Sequence, residues 1–408
     1  MVTTDGEVTE SNVNITEKNE FSLTVIKSIN RIIQNEEYLT HTINKRNMST
    51  GGGNYLSKLY EVDIKGKTKN NQKETNLFVK VIPDGDNALI DFQKIFRKEI
   101  FIYTNLARSF TELQDEANIP VKERYTFAKC YNDISDSDAL ILENMAKRGF
   151  KTYHRMDIMQ LKVMELSIRH LAKFHGLSIV LKSKRPDLIE SRYENLKHVF
   201  AKNDISLGFI KDMWKLNMDY IEEEKKKKVE DFLSICLDKY FQYYLNNEHK
   251  FRLTVLYFYT SCTLRALLRY LKLIPVDYQF VYYGTPVIDL IYFIFMSTDQ
   301  NFRNNHLDDI KDTYFDSLTK FLRHFDLELE SIYPKQDFEN DFKERLDYGL
   351  MITFIVLPLL YADEDDKKSI DSRQMSHHQL SPLRLGLRAG EDIHSFGCYK
   401  DEGDMKEN

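Results

Sequence analysis

Lys80 and Glu99 are of a type and spacing that could handle phosphate. Lys80 lies in Asn76-Leu77-Phe78-Val79-Lys80-Val81-Ile82, a run with the composition of a strand. Glu99 follows where Phe92, Phe96, Ile100 and Tyr103 recur at helical spacing, which puts the acid beside an apolar stripe rather than on the open polar face. A carboxylate in that position needs a partner. A lysine can grip the phosphates of a nucleotide and an inward acid can hold the lysine, and this pairing is one of the parts that phosphoryl transfer requires. Singly, neither residue says much, because strand lysines usually face solvent and helical glutamates usually lie on the surface. Their order says more: glycine run, strand, lysine-bearing strand, helix with an inward acid, the set of parts a phosphate-handling site needs.

The elements that would position these residues can be read from the same stretch. Residues 1–19 are polar and acidic, and an amphipathic helix is expected over about 20–34. Gly51, Gly52 and Gly53 lead into a run over 54–64 whose later part alternates as a strand does, and a polar turn over 65–75 returns into the strand that carries Lys80. The pattern is a β-hairpin entered through a glycine loop. Further on, Ala139-Leu140-Ile141-Leu142-Glu143-Asn144-Met145 is an apolar strand breaking into polar residues, where a hinge between two lobes would run. A long helix is expected over about 156–180. His175 within it reads as a packed structural histidine, the commoner fate of a histidine on an apolar helix face. Residues 286–296 and 350–360 are strongly apolar but too short or too interrupted to span a bilayer, and they read as buried core.

At 408 residues, the chain is long enough for two lobes around a shared cleft. With 42% hydrophobic and 29% charged residues it has the make-up of a folded globular protein. A formal net charge of −6 argues against a broad nucleic-acid footprint. Cys130, Cys236, Cys262 and Cys398 have no paired spacing, so neither a disulfide framework nor a zinc knuckle is suggested. With an acidic N-terminus unlike a signal or transit peptide, this points to a cytoplasmic protein, with no membrane and no obligatory protein partner evident. Glu222-Glu223-Glu224-Lys225-Lys226-Lys227-Lys228 reads as a solvated helix face, and His377-His378 as part of a loop.

Several blocks, taken together, resemble the ecdysteroid kinase-like family, also called CHK kinase-like. They are Gly53-Asn54-Tyr55-x-Ser57, Phe78-Val79-Lys80, Phe96-x-x-Glu99-x-x-x-Tyr103, Leu140-Ile141-Leu142-Glu143-Asn144-Met145 and Leu171-Ala172-Lys173-Phe174-His175-Gly176-x-Ser178. Val276-Asp277-Tyr278-Gln279 resembles the family's Asp-Phe-Gln metal motif, and Tyr283-Gly284-Thr285-Pro286-Val287-x-Asp289-Leu290 the block that follows it. Tyr333-Pro334, Tyr348-Gly349-Leu350 and Leu357-Pro358 look like the family's C-terminal helical region. The resemblance covers about residues 20–370. It implies an α+β, two-lobed protein kinase-like fold of the aminoglycoside and choline kinase type, using ATP and magnesium to phosphorylate a hydroxyl of a small molecule, an ecdysteroid for some members. Carried over residue by residue, Lys80 would contact the ATP phosphates, Glu99 would pair with Lys80, the Glu143-Asn144-Met145 backbone would meet adenine, and Asp277 would bind magnesium. The corresponding division is a tail over 1–19, an N-lobe over 20–143, a helical C-lobe over 144–383 and a tail over 384–408.

One part is missing. Phosphoryl transfer needs a carboxylate near the attacking hydroxyl and a second group to complete the metal site. The family supplies them in a His-Gly-Asp loop followed by an asparagine. Here the alignment lays Tyr259-Thr260-Ser261 on His-Gly-Asp and Ala266 on the asparagine. Serine is not ionised near neutral pH and cannot act as that base. The interval from Ser261 to Asp277 is shorter than the family's, implying a partly missing hairpin within a degraded segment at 257–275. Leu264, Leu267, Leu268 and Leu271 share one helical face, so a helix is expected there. Three explanations stay open: a pseudokinase that binds nucleotide or ligand, an active kinase whose true sequence differs across this segment, or an enzyme whose acid has moved.

Overall fold

The computed structural model describes residues 21–48, 57–82, 91–133, 139–153, 157–188, 196, 203–218, 221–245, 254–255, 263–267, 270–282 and 284–361. The expected glycine loop at 51–53, the segment Tyr259-Thr260-Ser261, His377-His378 and both tails lie outside them.

The chain opens with helix α1 (Leu23–Asn35), whose Ser22 hydroxyl accepts from the Val25 N–H and caps the first turn. Its apolar stripe, Val25, Ile29, Ile32 and Ile33, is buried. The stripe packs on a four-stranded antiparallel sheet, β1 (Thr40–Asn47), β2 (Lys58–Lys67), β3 (Gln72–Val81) and β4 (Ala139–Glu143), in that spatial order. Val62, Ile64, Leu77, Val79 and Ile141 form the matching sheet face and are fully buried. Each such side chain contributes about 1.5–3 kcal/mol of burial. The hairpin is longer than the sequence pattern suggests: β2 and β3 stay paired out to Lys67 and Gln72, leaving only residues 68–71 as the turn. Gly66 allows β1 to close on β2 at this end, because a Cβ there would lie 1.9 Å from the Thr40 carbonyl oxygen. The edge strand β1 carries no apolar alternation, which is why the sequence pattern does not announce it.

Between β3 and β4 runs α2 (Phe92–Phe101), capped by the Asp91 carboxylate, which accepts from the Lys94 N–H. It widens into one π turn at Ile102–Leu106 and continues as α3 (Ala107–Glu116). The remainder is mostly helical: α4 (Leu161–Lys184), α5 (Asp204–Met218), α6 (Glu223–Leu245), α7 (Pro286–Ser297), α8 (Gln300–Leu322), α9 (Leu329–Ile332), α10 (Lys335–Glu344) and α11 (Leu346–Tyr361). Every residue of α7 is buried, Asp289 included, as its mostly apolar sequence predicts. No described helix is long and apolar enough to cross a membrane. The charged start of α6 is a solvated face, with ion pairs at i,i+3 spacing (Glu222 to Lys225, Glu223 to Lys226). The whole is an α+β, two-lobed kinase-like fold with a small sheet lobe and a large helical lobe.

The helix expected around Leu264 is not formed. Instead β7 (Thr263–Leu267) pairs antiparallel with β8 (Tyr270–Ile274), and β7 also pairs with β5 (Lys151–Thr152). A short hairpin thus stands in the segment where a partly missing one is expected. The leucine spacing is helical, but pairing with β8 and with β5 gives β7 backbone partners on both sides, and that tertiary context decides for strands. A second short pair, β6 (Thr254–Val255) with β9 (Val281–Tyr282), brackets the segment between them and brings Asp277 back toward the sheet.

Candidate active site

β3 pairs with β4 so that Lys80 faces Leu140 across the ladder and Leu77 faces Glu143. Lys80 points toward α2. Its ammonium donates to the Glu99 carboxylate at 2.7 Å and to Asp277 Oδ1 at 3.0 Å. The Lys80 and Glu99 side chains are 7% and 2% exposed, whereas Asp277 is 28% exposed and so is the open member of the group. Three residues distant in sequence thus meet at one point, two of them through the helical spacing and strand pattern that marked them out.

Asp277 reaches this point through an unusual backbone, at φ 72°. The left-handed region costs most residues about 1–2 kcal/mol, and aspartate is among the few that visit it. The turn has two effects: it directs the Asp277 carboxylate at Lys80, and it aims the backbone N–H of Tyr278 at Glu99. The Gln279 amide donates to Asp277 Oδ1 as well. The Tyr278 ring is fully buried, with its hydroxyl 2.6 Å from that of Tyr125 and its ring against Tyr103, Phe127 and Phe174. Tyr125 and Phe127 carry no sequence signal, because they lie in a stretch without regular secondary structure.

The charges are unequal in depth. Burial by itself would push the Lys80 ammonium down, but Asp277 and Glu99 beside it carry its pKa above the ordinary lysine value. Glu99 moves the opposite way to a normal ion-paired acid: burial outweighs the attraction of Lys80, Asp277 adds repulsion, and its pKa is pushed up to about 7. One buried cation is shared by two carboxylates, and the deeper acid bears the penalty.

Glu143 ends β4 three rungs along from Lys80, and Asn144 and Met145 follow it. The Asn144 N–H donates to the Asn76 carbonyl, and its side chain donates to Glu61 on β2 at 3.1 Å. The Met145 carbonyl accepts from Arg148 and Phe150, and the Glu143 carboxylate pairs with Arg148 at 2.9 Å. The turn after β4 is therefore fixed to the sheet, with Met145 buried. Glu61 could not have been picked out from sequence, since nothing distinguishes it from its charged neighbours.

His175, read as structural, is buried on α4 with both nitrogens engaged: Nδ1 with the Tyr314 hydroxyl at 2.7 Å and Nε2 with Asp289 at 3.0 Å. The latter spacing is that of an ion pair. Burial nevertheless holds the imidazole down to about 3, so the contact is a hydrogen bond from a neutral ring, with Nε2–H donating to Asp289 and Nδ1 accepting from Tyr314. The bonds tie α4 to α7 and α8 behind the Asp277 turn.

Among the described residues no group of three or more His, Cys, Asp or Glu side chains could hold a metal ion. Magnesium usually takes one or two protein carboxylates and completes its shell with water and phosphate oxygens. Asp277, partly open and fixed by Lys80 and Gln279, is a carboxylate of that kind.

The family model described as "Ecdysteroid kinase-like family" matches residues 51–327, about two thirds of the chain. The chain belongs to this family. Lys80, Glu99, Glu143, Asn144, Met145, His175 and Asp277 all fall within the matched span of the ecdysteroid kinase-like model. Solved structures similar to the chain include a choline kinase from Cryptosporidium parvum Iowa II, at 10% identity and TM-score 0.44, over 88% of this chain and 89% of that one. An ethanolamine kinase from Plasmodium vivax matches at 11% identity and TM-score 0.42, over 87% of this chain and 81% of that one. No curated protein matches the chain.

Proposed function

We propose that this ecdysteroid kinase-like protein binds magnesium–ATP between its lobes and serves as a phosphotransferase toward a hydroxyl of a small molecule, an ecdysteroid being the first class to test. The observation that carries the reading is the Lys80, Glu99 and Asp277 constellation, assembled from three separate elements around one ammonium. Lys80 would hold the phosphates, Glu99 would fix Lys80, and the backbone of Glu143-Asn144-Met145 would border the adenine. Asp277 would hold magnesium, which when bound neutralises charge on the transferring phosphoryl group. The residues' own part is positional: the Asp277 turn sets the carboxylate, and the Tyr278 N–H steadies Glu99.

A second reading, nucleotide binding without transfer, is favoured by one specific observation. No aspartate or glutamate occurs between Glu248 and Asp277, so the segment lacks a carboxylate to accept the proton of an attacking hydroxyl. Two measurements separate the readings. Thermal stabilisation by magnesium–ATP reports binding, and transfer of labelled γ-phosphate to ecdysteroids and other small alcohols reports catalysis. Stabilisation with transfer supports the phosphotransferase, stabilisation without transfer supports the silent binder, and absence of stabilisation overturns both.

A further inference from the structure

A cavity of about 520 Å3 opens along the π turn and α3, walled on its other side by residues 121–132. It is large enough for a small organic molecule. Tyr103 and Thr104 come from the π turn, Ala107, Arg108 and Thr111 from α3, and Phe127 from the facing segment. Single π turns interrupting α-helices recur at functional sites, and this one turns the Tyr103 ring into the wall.

Most polar groups around the cavity are spoken for. Gln114 bonds the Phe110 and Tyr125 carbonyls and the Tyr125 N–H, while Arg124 is held by the Ile119 carbonyl and Asp115. Two are not. The Tyr103 hydroxyl is buried with no hydrogen-bond partner, and the residue is only 4% exposed. A buried hydroxyl left in this state costs about 1–3 kcal/mol. Burial also lifts its pKa well above the ordinary tyrosine value, so it stays protonated and can donate to an acceptor. At the rim, Arg108 is exposed and forms no ion pair among the described residues, since the neighbouring Glu112 pairs instead with Arg185.

We propose that this cavity is a second small-molecule site, apart from the Lys80, Glu99 and Asp277 cleft, for a flat, mostly apolar ligand carrying one anionic group. The aromatic and alkyl walls, Tyr103 and Phe127 among them, take the body, and the Arg108 guanidinium takes the anion. This does not depend on what the cleft binds.

The test uses 8-anilinonaphthalene-1-sulfonate, an aryl sulfonate whose fluorescence rises in apolar surroundings, titrated into the full chain with saturating magnesium–ATP present and absent. The expected result is saturable binding that magnesium–ATP leaves in place, with alkylation of Cys130, on the cavity wall, slowed at least threefold by the bound probe. Arg108→Glu, at an exposed position, should weaken the probe at least tenfold without altering the melting temperature. Ala107→Phe should fill the space and abolish binding. The proposal is overturned by an unsaturable signal, by Arg108→Glu binding as tightly as the wild type, or by displacement of the probe with magnesium–ATP.

Discussion

Lys80→Met keeps the length and apolar body of the side chain and removes its charge. The ammonium it deletes lies 2.7 Å from Glu99 and 3.0 Å from Asp277, and Glu99 is nearly without water. Removing one partner from a buried ion pair costs about 3–5 kcal/mol. A ceiling comes from Glu99 itself, which can take up a proton once the ammonium is gone. Holding it neutral at pH 7.5 against an unfolded value near 4.5 costs roughly 4 kcal/mol, from about three pH units at about 1.36 kcal/mol each. Part of that cost is already present, because burial has raised the wild-type Glu99 to about 7. About 3 kcal/mol of it, from about 2.5 pH units, is present before the substitution, so the net loss through Glu99 is about 1 kcal/mol. With an unfolding entropy of about 2.1 cal/mol/K per residue, roughly 0.9 kcal/mol/K for this chain, the melting temperature should fall by about 1 °C. Differential scanning calorimetry at pH 7.5 measures it. Glu99→Gln added to Lys80→Met removes the stranded charge and should restore more than half of the loss. A loss under about 0.5 kcal/mol, or a double variant no more stable than Lys80→Met, would refute the claim that these groups are coupled in a buried site.

The same pair predicts a pH dependence. Glu99 is an acid whose folded pKa lies above its unfolded one, so ionising it penalises the folded state: its contribution declines between about pH 4.5 and 7 and is level above that. In Lys80→Met the decline should run past pH 7, so the melting-temperature gap from wild type should widen from pH 6 to pH 8; a constant gap contradicts it. Asp277→Asn should change stability by less than about 1 kcal/mol, since asparagine also tolerates a φ of 72° and the side chain is partly open, yet it should remove most of the stabilisation by magnesium–ATP in a thermal-shift assay. His175→Ala leaves the Tyr314 hydroxyl and Asp289 without their imidazole bonds and should cost about 3 kcal/mol or more, read by urea unfolding. Gly349→Ala puts a methyl group 2.7 Å from two carbons of the buried Phe295 ring between α11 and α7, and should cost about 1–3 kcal/mol in the same assay.

How far the sequence carries depends on whether local pattern or tertiary context decides each element. The Lys80 strand, the inward face of Glu99 and the apolar helices α7 and α11 are legible because alternation and helical period report burial directly. Strand β1 is not, because an edge strand over a helix-covered sheet needs no apolar alternation. β7 and β8 mislead for a related reason: their leucines carry a helical period, while backbone pairing with each other and with β5, which no local window contains, decides for strands. The π turn and the Tyr103, Tyr125 and Tyr278 cluster depend on packing between segments far apart in the chain, 153 residues in the case of Tyr125 and Tyr278, which no local window contains. Asp277 was reached only through resemblance, since its left-handed backbone and its contact with Lys80 leave no mark on spacing.

The central claim is that Lys80 and Asp277 together form a magnesium-nucleotide site, and isothermal titration calorimetry of the full chain tests it most directly. Saturable binding of ATP that requires magnesium, weakened at least tenfold by both Asp277→Asn and Lys80→Met, is the predicted result. Absence of binding in the folded wild type, or affinity unchanged by either substitution, would contradict it.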